Sequence, residues 1–212
     1  DKSESFHPFI LPLIKYTTDV NNKQEFSYFL DHGLNLWLQT LRNAKTSTND
    51  ILVPAANIFS IMNHSYDSTR EILKICESYI FLSQVQFMKS FIGPLSQLTF
   101  NVITEVKDEG VMQCSELLEL IVSMFPNEAP QAFANTFVHM LVTLLQNTDE
   151  EESQVVLASF ISVLSRVLLL NKAAFFKLLE MSLMQKSLAG CNLGQLLANF
   201  IERSLDRVCV EN

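Results

Sequence analysis

Apolar helical segments recur in pairs along this chain at a nearly constant step, with pairs beginning near Ser27, Asp67, Asp108, Glu150 and Cys191. A step of about 40 residues lies in the range of HEAT and armadillo units, and it restricts the fold severely. One helical hairpin of that size cannot bury both of its faces, so neighbouring hairpins must stack and share an elongated interior. The expectation is an all-α fold: a right-handed α-α superhelix, a HEAT/armadillo-like solenoid of about five helix pairs. Residues 1–212 then form a single array, and its opening and closing helices read as halves of repeats cut from a longer protein. Five glycines and six prolines supply too few turns for a hairpin-rich β fold, and no stretch alternates as a strand does.

Glu151–Leu170 is the most demanding segment in this pattern. On a wheel of 100° per residue, Val156, Leu157, Phe160, Ile161, Val163, Leu164, Val167, Leu168 and Leu170 cover roughly half the circumference. The remainder is mostly small, with Ala158, Ser159, Ser162 and Ser165, so the helix needs neighbours on more than one side and lets one come close. Asn171 is placed to stop it. Elsewhere helices are expected over 8–16, shortened or kinked at Pro12, and over 25–43, with Phe26, Phe29, Leu30, Leu34, Trp37, Leu38 and Leu41 in step. Another spans 51–62, and the next is opened by Ser68 and Glu71 at capping-box spacing. Further helices cover 85–106, broken or bent at Gly93 and Pro94, then 111–125, 130–146, 173–185 and 193–208. Trp37, with Phe29 and Leu41, is assigned to the core.

A hydrophobic content of 48% with 18% charged residues is that of a folded chain. The run Ala129–Thr148 approaches a membrane span in length, but Gln131, Asn135, His139 and Gln146 fall on one face, as in an amphipathic helix, so no membrane partner is expected. The net charge of −8 is unevenly placed: no Lys or Arg occurs between Lys107 and Arg166, while Asp108, Glu109, Glu116, Glu119, Glu128 and Asp149 to Glu152 all do. That section repels nucleic acid and suits a basic protein. Cys76, Cys114, Cys191 and Cys209 form no CxxC pair and are expected to be buried and reduced, in an intracellular protein. The chain opens on Asp without a signal peptide, as a piece of something longer would.

Catalytic patterns are missing. His7, His32, His64 and His139 lie on separate elements without a second ligand at metal spacing, so structural roles are expected and neither metal nor cofactor is invoked. There is no GxSxG elbow and no helical DDxxD pair, and Gly190 and Gly194 mark a helix break rather than a phosphate loop. The informative surface is Pro130–Asn147. Phe133, Phe137, Met140, Leu141, Leu144 and Leu145 make its inner face; Gln131, Asn135, Thr136, His139, Thr143 and Gln146 make an outer face with hydrogen-bonding groups and no charge. Solvated helices usually carry Lys and Glu there, so this face is a candidate for a partner protein or for another repeat, against the alternative of plain solvent exposure. Asp149, Glu150, Glu151 and Glu152 either complement the dipole of the helix they open, with Thr148 or Asp149 as cap, or meet basic cargo.

Three stretches carry a family resemblance: SYFLDHGLNLWLQTLRNA (Ser27–Ala44), ESYIFLS (Glu77–Ser83), and SRVLLLN (Ser165–Asn171) followed by Phe175 and Phe176. They resemble the later HEAT repeats of the importin-β (karyopherin-β) family, over about Phe9 to Glu180. The resemblance implies a non-enzymatic, monomeric nuclear import receptor of cytoplasm and nucleus, binding protein cargo, with the GTPase Ran and phenylalanine-glycine nucleoporins engaged through the full receptor. The family's main Ran-binding repeats lie nearer the receptor's N-terminus, so no Ran-contact residue is carried over. The runner-up is a HEAT or armadillo interaction scaffold of another pathway, and a helical enzyme is the third class.

Overall fold

The computed structural model describes residues 4–146, 153–185, 188 and 191–209, whose regular structure is helical throughout. After a single 3₁₀ turn (Glu4–Phe6) come α1 (His7–Thr17), α2 (Lys23–Asn43), α3 (Asn49–Leu52), a 3₁₀ turn at Val53–Ala55, α4 (Ala56–His64) and α5 (Thr69–Glu105). Then follow α6 (Asp108–Met124), α7 (Ala129–Ala132), α8 (Ala134–Gln146), α9 (Gln154–Leu170), α10 (Lys172–Leu183) and α11 (Leu193–Cys209). Starts at Thr69, Asp108, Gln154 and Leu193 keep the step of about 40 residues. The chain divides into two compact units, Asp1–Leu98 and Thr99–Asn212.

In the first unit the interior is organised by Trp37. Its ring is fully buried, and its indole Nε1 donates to the Tyr79 hydroxyl (2.9 Å), which donates to the Ile51 carbonyl (2.6 Å). Three segments far apart in sequence are thereby fixed to one another, and each polar atom taken out of water is paired. Phe29, expected beside Trp37, is 49% exposed instead, because residue 29 lies off the face that Phe26, Leu34, Trp37 and Leu41 bury. α1 runs through Pro12 without interruption, although a proline at this interior position forgoes the backbone bond to the Pro8 carbonyl. Gly33 permits α2 to approach the end of α1: a Cβ there would stand 2.5 Å from Thr17 Oγ1, which is itself bonded to the Leu13 carbonyl.

The expected break at Gly93 and Pro94 is not where the chain turns. Within α5 the residue with non-helical dihedrals is Gln84 (φ 31°, ψ −103°). Tyr79 and Phe87 stack with ring centroids 4.9 Å apart, although eight residues of straight helix would separate them by about 12 Å, so 69–83 and 85–105 form a hairpin. Ser83 bonds Ser47 (2.7 Å) and Gln86 donates to Asn49 (2.6 Å), and these two bonds hold the reversal from either side. Ser68 and Glu71 form no capping box; the Thr69 hydroxyl donates to the Tyr66 carbonyl instead.

Burial pushes the Cys76 thiol up to about 12 and raises the Tyr79 phenol. The unfolded thiol ionises near 9, so between pH 9 and about 12 the unfolded state releases a proton that the folded state keeps. Stability is complete below pH 9 and is lost above it, by about 1.4 kcal/mol per pH unit for this group. Urea unfolding at pH 8 and pH 10 is expected to show that fall, and Cys76→Ala is expected to flatten it.

In the second unit, α9 packs on α6, α8, α10 and α11, which meets the requirement its wide apolar arc imposed. Val156, Leu157, Phe160, Ile161, Val163, Leu164 and Val167 are buried, while Leu169 and Leu170 are exposed. The small face does allow a close neighbour: Ser159 Oγ donates to Ser115 Oγ of α6 at 3.1 Å. α8 lies against α10, and Phe175 of α10 meets Phe200 of α11 at 5.2 Å. Repeats therefore stack like on like, α6 on α9 and α8 on α10, as an α-helical repeat requires.

Asn171 ends α9 and caps α10. Its Oδ1 accepts from the Ala174 amide (3.0 Å), and its Nδ2 donates to the Pro126 carbonyl of the preceding repeat (3.0 Å). Asn171→Ala removes both bonds and is expected to cost about 1–2 kcal/mol in chemical denaturation. Asn192 and Gln195 form a reciprocal capping box at the start of α11, each amide donating to the other side chain at 2.9 Å. Gly194 lies just inside that helix, whereas Gly190 lies outside the described residues. Cys76 and Cys114 are buried and form no disulfide, but Cys191 is exposed, because it stands in the segment before the cap rather than on a packed helix face; the Cys209 side chain lies outside the described residues.

Candidate protein-interaction surface

The sequence predicts one helix over 130–146, but the chain pauses at Phe133, which has left helical geometry, so that α7 and α8 are separate. Most of the inner face is as expected: Phe133, Phe137, Met140, Leu141 and Leu144 are fully buried, while Leu145, at the edge of the arc, is half-buried. Thr136, assigned to the outer face, is also fully buried, and its hydroxyl has no hydrogen-bond partner. At 100° per residue it falls beside Phe133 and Met140, at the edge of the apolar arc. A hydroxyl removed from water without a partner costs about 1–3 kcal/mol, so Thr136→Val is expected to raise stability by about 1 kcal/mol in urea unfolding.

The rest of the outer face is divided. Gln131, Asn135 and Gln146 are exposed and their side chains make no hydrogen bond within the described residues; His139 and Thr143 are half-buried. The His139 ring stands edge-on to Phe100 (6.0 Å, 74°), so this part of the face packs on the preceding helical arm of the same unit. What remains open is a strip of amides. Asp149, Glu150, Glu151 and Glu152 lie outside the described residues. The first turn of α9 contains no acid and its N-cap is Ser153, so the expected cap at Thr148 or Asp149 is not the one used.

The unit that carries this strip is acidic. Asp108, Glu109, Glu116 and Glu128 are exposed, and Glu119 pairs with Arg166 of α9 at 3.5 Å. That pair is half-exposed on the arginine side and contributes little to stability, so its main effect is to use up the first cation after Lys107. The unit thus offers amides and carboxylates, a chemistry that receives basic or hydroxylated side chains. His64 packs edge-on to Phe26 (5.5 Å), and no group of three His, Cys, Asp or Glu within metal-binding reach occurs among the described residues. No described helix is long and apolar enough to cross a membrane.

Two features of the first unit had no place in the sequence reading. α1 and the 48–53 segment border a cleft of about 540 Å³, with Leu11, Pro12 and Val53 in its wall and Lys15 and Asp50 at its rim. Phe9, Leu13 and Tyr16 of α1 are at least half exposed, on one side of that helix. Their three- and four-residue spacing was the available signal.

The chain matches a family profile described as "Importin-11-like, TPR repeats" over residues 1–208. Human importin-11 is 31% identical over 207 residues, covering 97% of this chain, and mouse importin-11 shows the same identity and coverage. The chain spans 20% of the length of these curated relatives. No solved structure matches.

Proposed function

Since the chain belongs to the importin-11-like family, we propose that residues 1–212 are one helical-repeat portion of a nuclear import receptor of the importin-β type, holding protein cargo for Ran-dependent passage through the nuclear pore. The observation that carries this reading is the open strip Gln131, Asn135 and Gln146, uncharged and without side-chain hydrogen bonds among the described residues, set in an acidic unit with no lysine or arginine between Lys107 and Arg166. Its partner is a protein surface rich in Lys, Arg and hydroxyl groups. Asp149 to Glu152 belong to the same proposed surface, together with His139 and Thr143 at its packed margin. Ran and phenylalanine-glycine nucleoporins are engaged by the full receptor, which acts as a monomer between cytoplasm and nucleus; nucleic acid and membrane are not partners. No step involves catalysis or a cofactor.

The mechanism follows from stacking. Each repeat touches only its neighbours, so small changes at successive interfaces add up along the array. A ligand that prefers one curvature shifts the population toward it and changes the affinity of a second ligand by the same factor. Ran loaded with GTP, bound elsewhere on the receptor, expels cargo in this way. The test uses the full-length protein, immobilised and offered Ran with GTP or with GDP. Retention of the GTP form at least about tenfold over the GDP form, equivalent to about 1.4 kcal/mol, is the expected result. Equal retention would leave a helical-repeat scaffold of another pathway as the better description.

A further inference from the structure

The turn inside α5 has no loop. Helix runs to Ser83 and resumes at Val85, and Gln84 alone makes the reversal, at φ 31° and ψ −103°, a conformation that side chains rarely adopt. Such a residue persists only where its surroundings hold it. Here the hold comes from the segment that follows α2. Ser47 Oγ bonds Ser83 Oγ at 2.7 Å on one side of Gln84, and Gln86 donates to Asn49 at 2.6 Å on the other. Ser83 is buried, where a hydroxyl needs such a partner.

The holding segment is open to an enzyme. Residues 44–48 lie outside any helix, and the backbone is extended at Ala44 and Thr48. Lys45, Thr46 and Thr48 are exposed and Ser47 is half-buried, so this is the kind of chain a protein kinase can take into its cleft. Three hydroxyls compete there, and Asp50 sorts them. It stands three residues after Ser47, whereas Asn49 and Ile51 hold that place for Thr46 and Thr48. A carboxylate at that distance is the mark read by acid-directed kinases through basic residues of their own.

We propose that Ser47 is a phosphorylation site and that its modification releases the reversal at Gln84. The Ser47 hydroxyl oxygen attacks the γ-phosphorus of ATP, its proton passes to the kinase's base, and ADP leaves. The 2.7 Å between the two serine oxygens leaves no room for a phosphoryl group, so the modified side chain must swing off Ser83. Lys45 and Arg42 line the adjoining groove of about 510 Å³ beside Glu77, Ser78 and Phe81, and two cations against one carboxylate favour a phosphate there. Ser83 is left without the bond from Ser47, and Gln84 is held from the Gln86 side. This goes beyond the transport reading and does not rest on it, because it requires only the geometry of the first unit.

The test treats the full-length protein with ATP and casein kinase 2, an acid-directed kinase, then locates phosphate by mass spectrometry and follows hydrogen exchange over 80–88. Phosphate on Ser47 and exchange about tenfold faster at the reversal are the expected results. No phosphate at Ser47, or phosphate with unchanged exchange, would overturn the proposal. Ser83→Ala supplies the second reading: its reversal is expected to exchange fast from the start, and phosphorylation of Ser47 is expected to add nothing. A further acceleration in that variant would contradict a switch working through the serine pair, as would acceleration by the kinase in Ser47→Ala protein.

Discussion

Trp37→Ala is expected to destabilise the first unit by about 3–5 kcal/mol, enough to leave a large fraction unfolded at room temperature. The indole is fully enclosed, so truncation leaves a cavity that the surrounding helices fill only in part. Its loss also removes the donor that fixes Tyr79, whose hydroxyl then keeps only the Ile51 carbonyl. Trp37→Phe separates the two effects. It retains most of the volume, loses the hydrogen bond, and is expected to cost about 1–2 kcal/mol. Circular dichroism during urea unfolding reads both. A cost below about 1 kcal/mol for the alanine variant would mean that Trp37 does not hold α2, the Ile51 segment and α5 together.

Asn135→Lys combined with Gln146→Lys is expected to weaken binding of a basic client to the full-length protein by about tenfold or more while leaving stability within about 0.5 kcal/mol. Both side chains are exposed and make no hydrogen bond among the described residues, so the lysines break no bond seen there. Their effects on the dipole of α8 oppose one another, since Asn135 lies in the first turn and Gln146 ends the helix. His139 is left unchanged because its ring is packed on Phe100, where a charge would disturb the fold itself. The control is Asn135→Asp with Gln146→Asp, which preserves the sign of the unit and is expected to retain binding. Loss of binding with both pairs would point to shape rather than charge, and retention with both would remove this strip from the client site.

Legibility in the sequence followed the apolar spacing. The positions of α2, α6, α9 and α10 were read within a few residues, because each presents a long, consistent buried stripe and a recognisable stop. The boundary between the helix opened near Ser68 and the helix over 85–106 was read in the right place, but the sharp reversal at Gln84 that makes it could not be. It contains neither glycine nor proline and is imposed from outside, by Ser47 and Asn49 holding Ser83 and Gln86. Gly93 and Pro94 attracted attention as breakers, yet helical geometry is kept there and a Cβ at Gly93 would meet open space. In the candidate surface, Gln131, Asn135 and Gln146 were placed outward correctly. Thr136 was misplaced, because its small side chain tolerates the edge of a buried arc that a larger polar residue would leave. Phe29 failed in the opposite sense: it follows Phe26 at helical spacing but lies off the centre of the face that α2 buries, and hydrophobicity alone does not reveal which side of a helix has a neighbour.

The most direct measurement is hydrogen exchange on the full-length protein in three states: alone, with a basic client bound, and with the client and GTP-loaded Ran together. Amides of 129–146 are expected to gain protection with the client and to lose it when GTP-loaded Ran is added, while the buried core around Trp37 and Tyr79 stays unchanged. Identical exchange of 129–146 in all three states would contradict the proposal that this surface takes part in client binding and release.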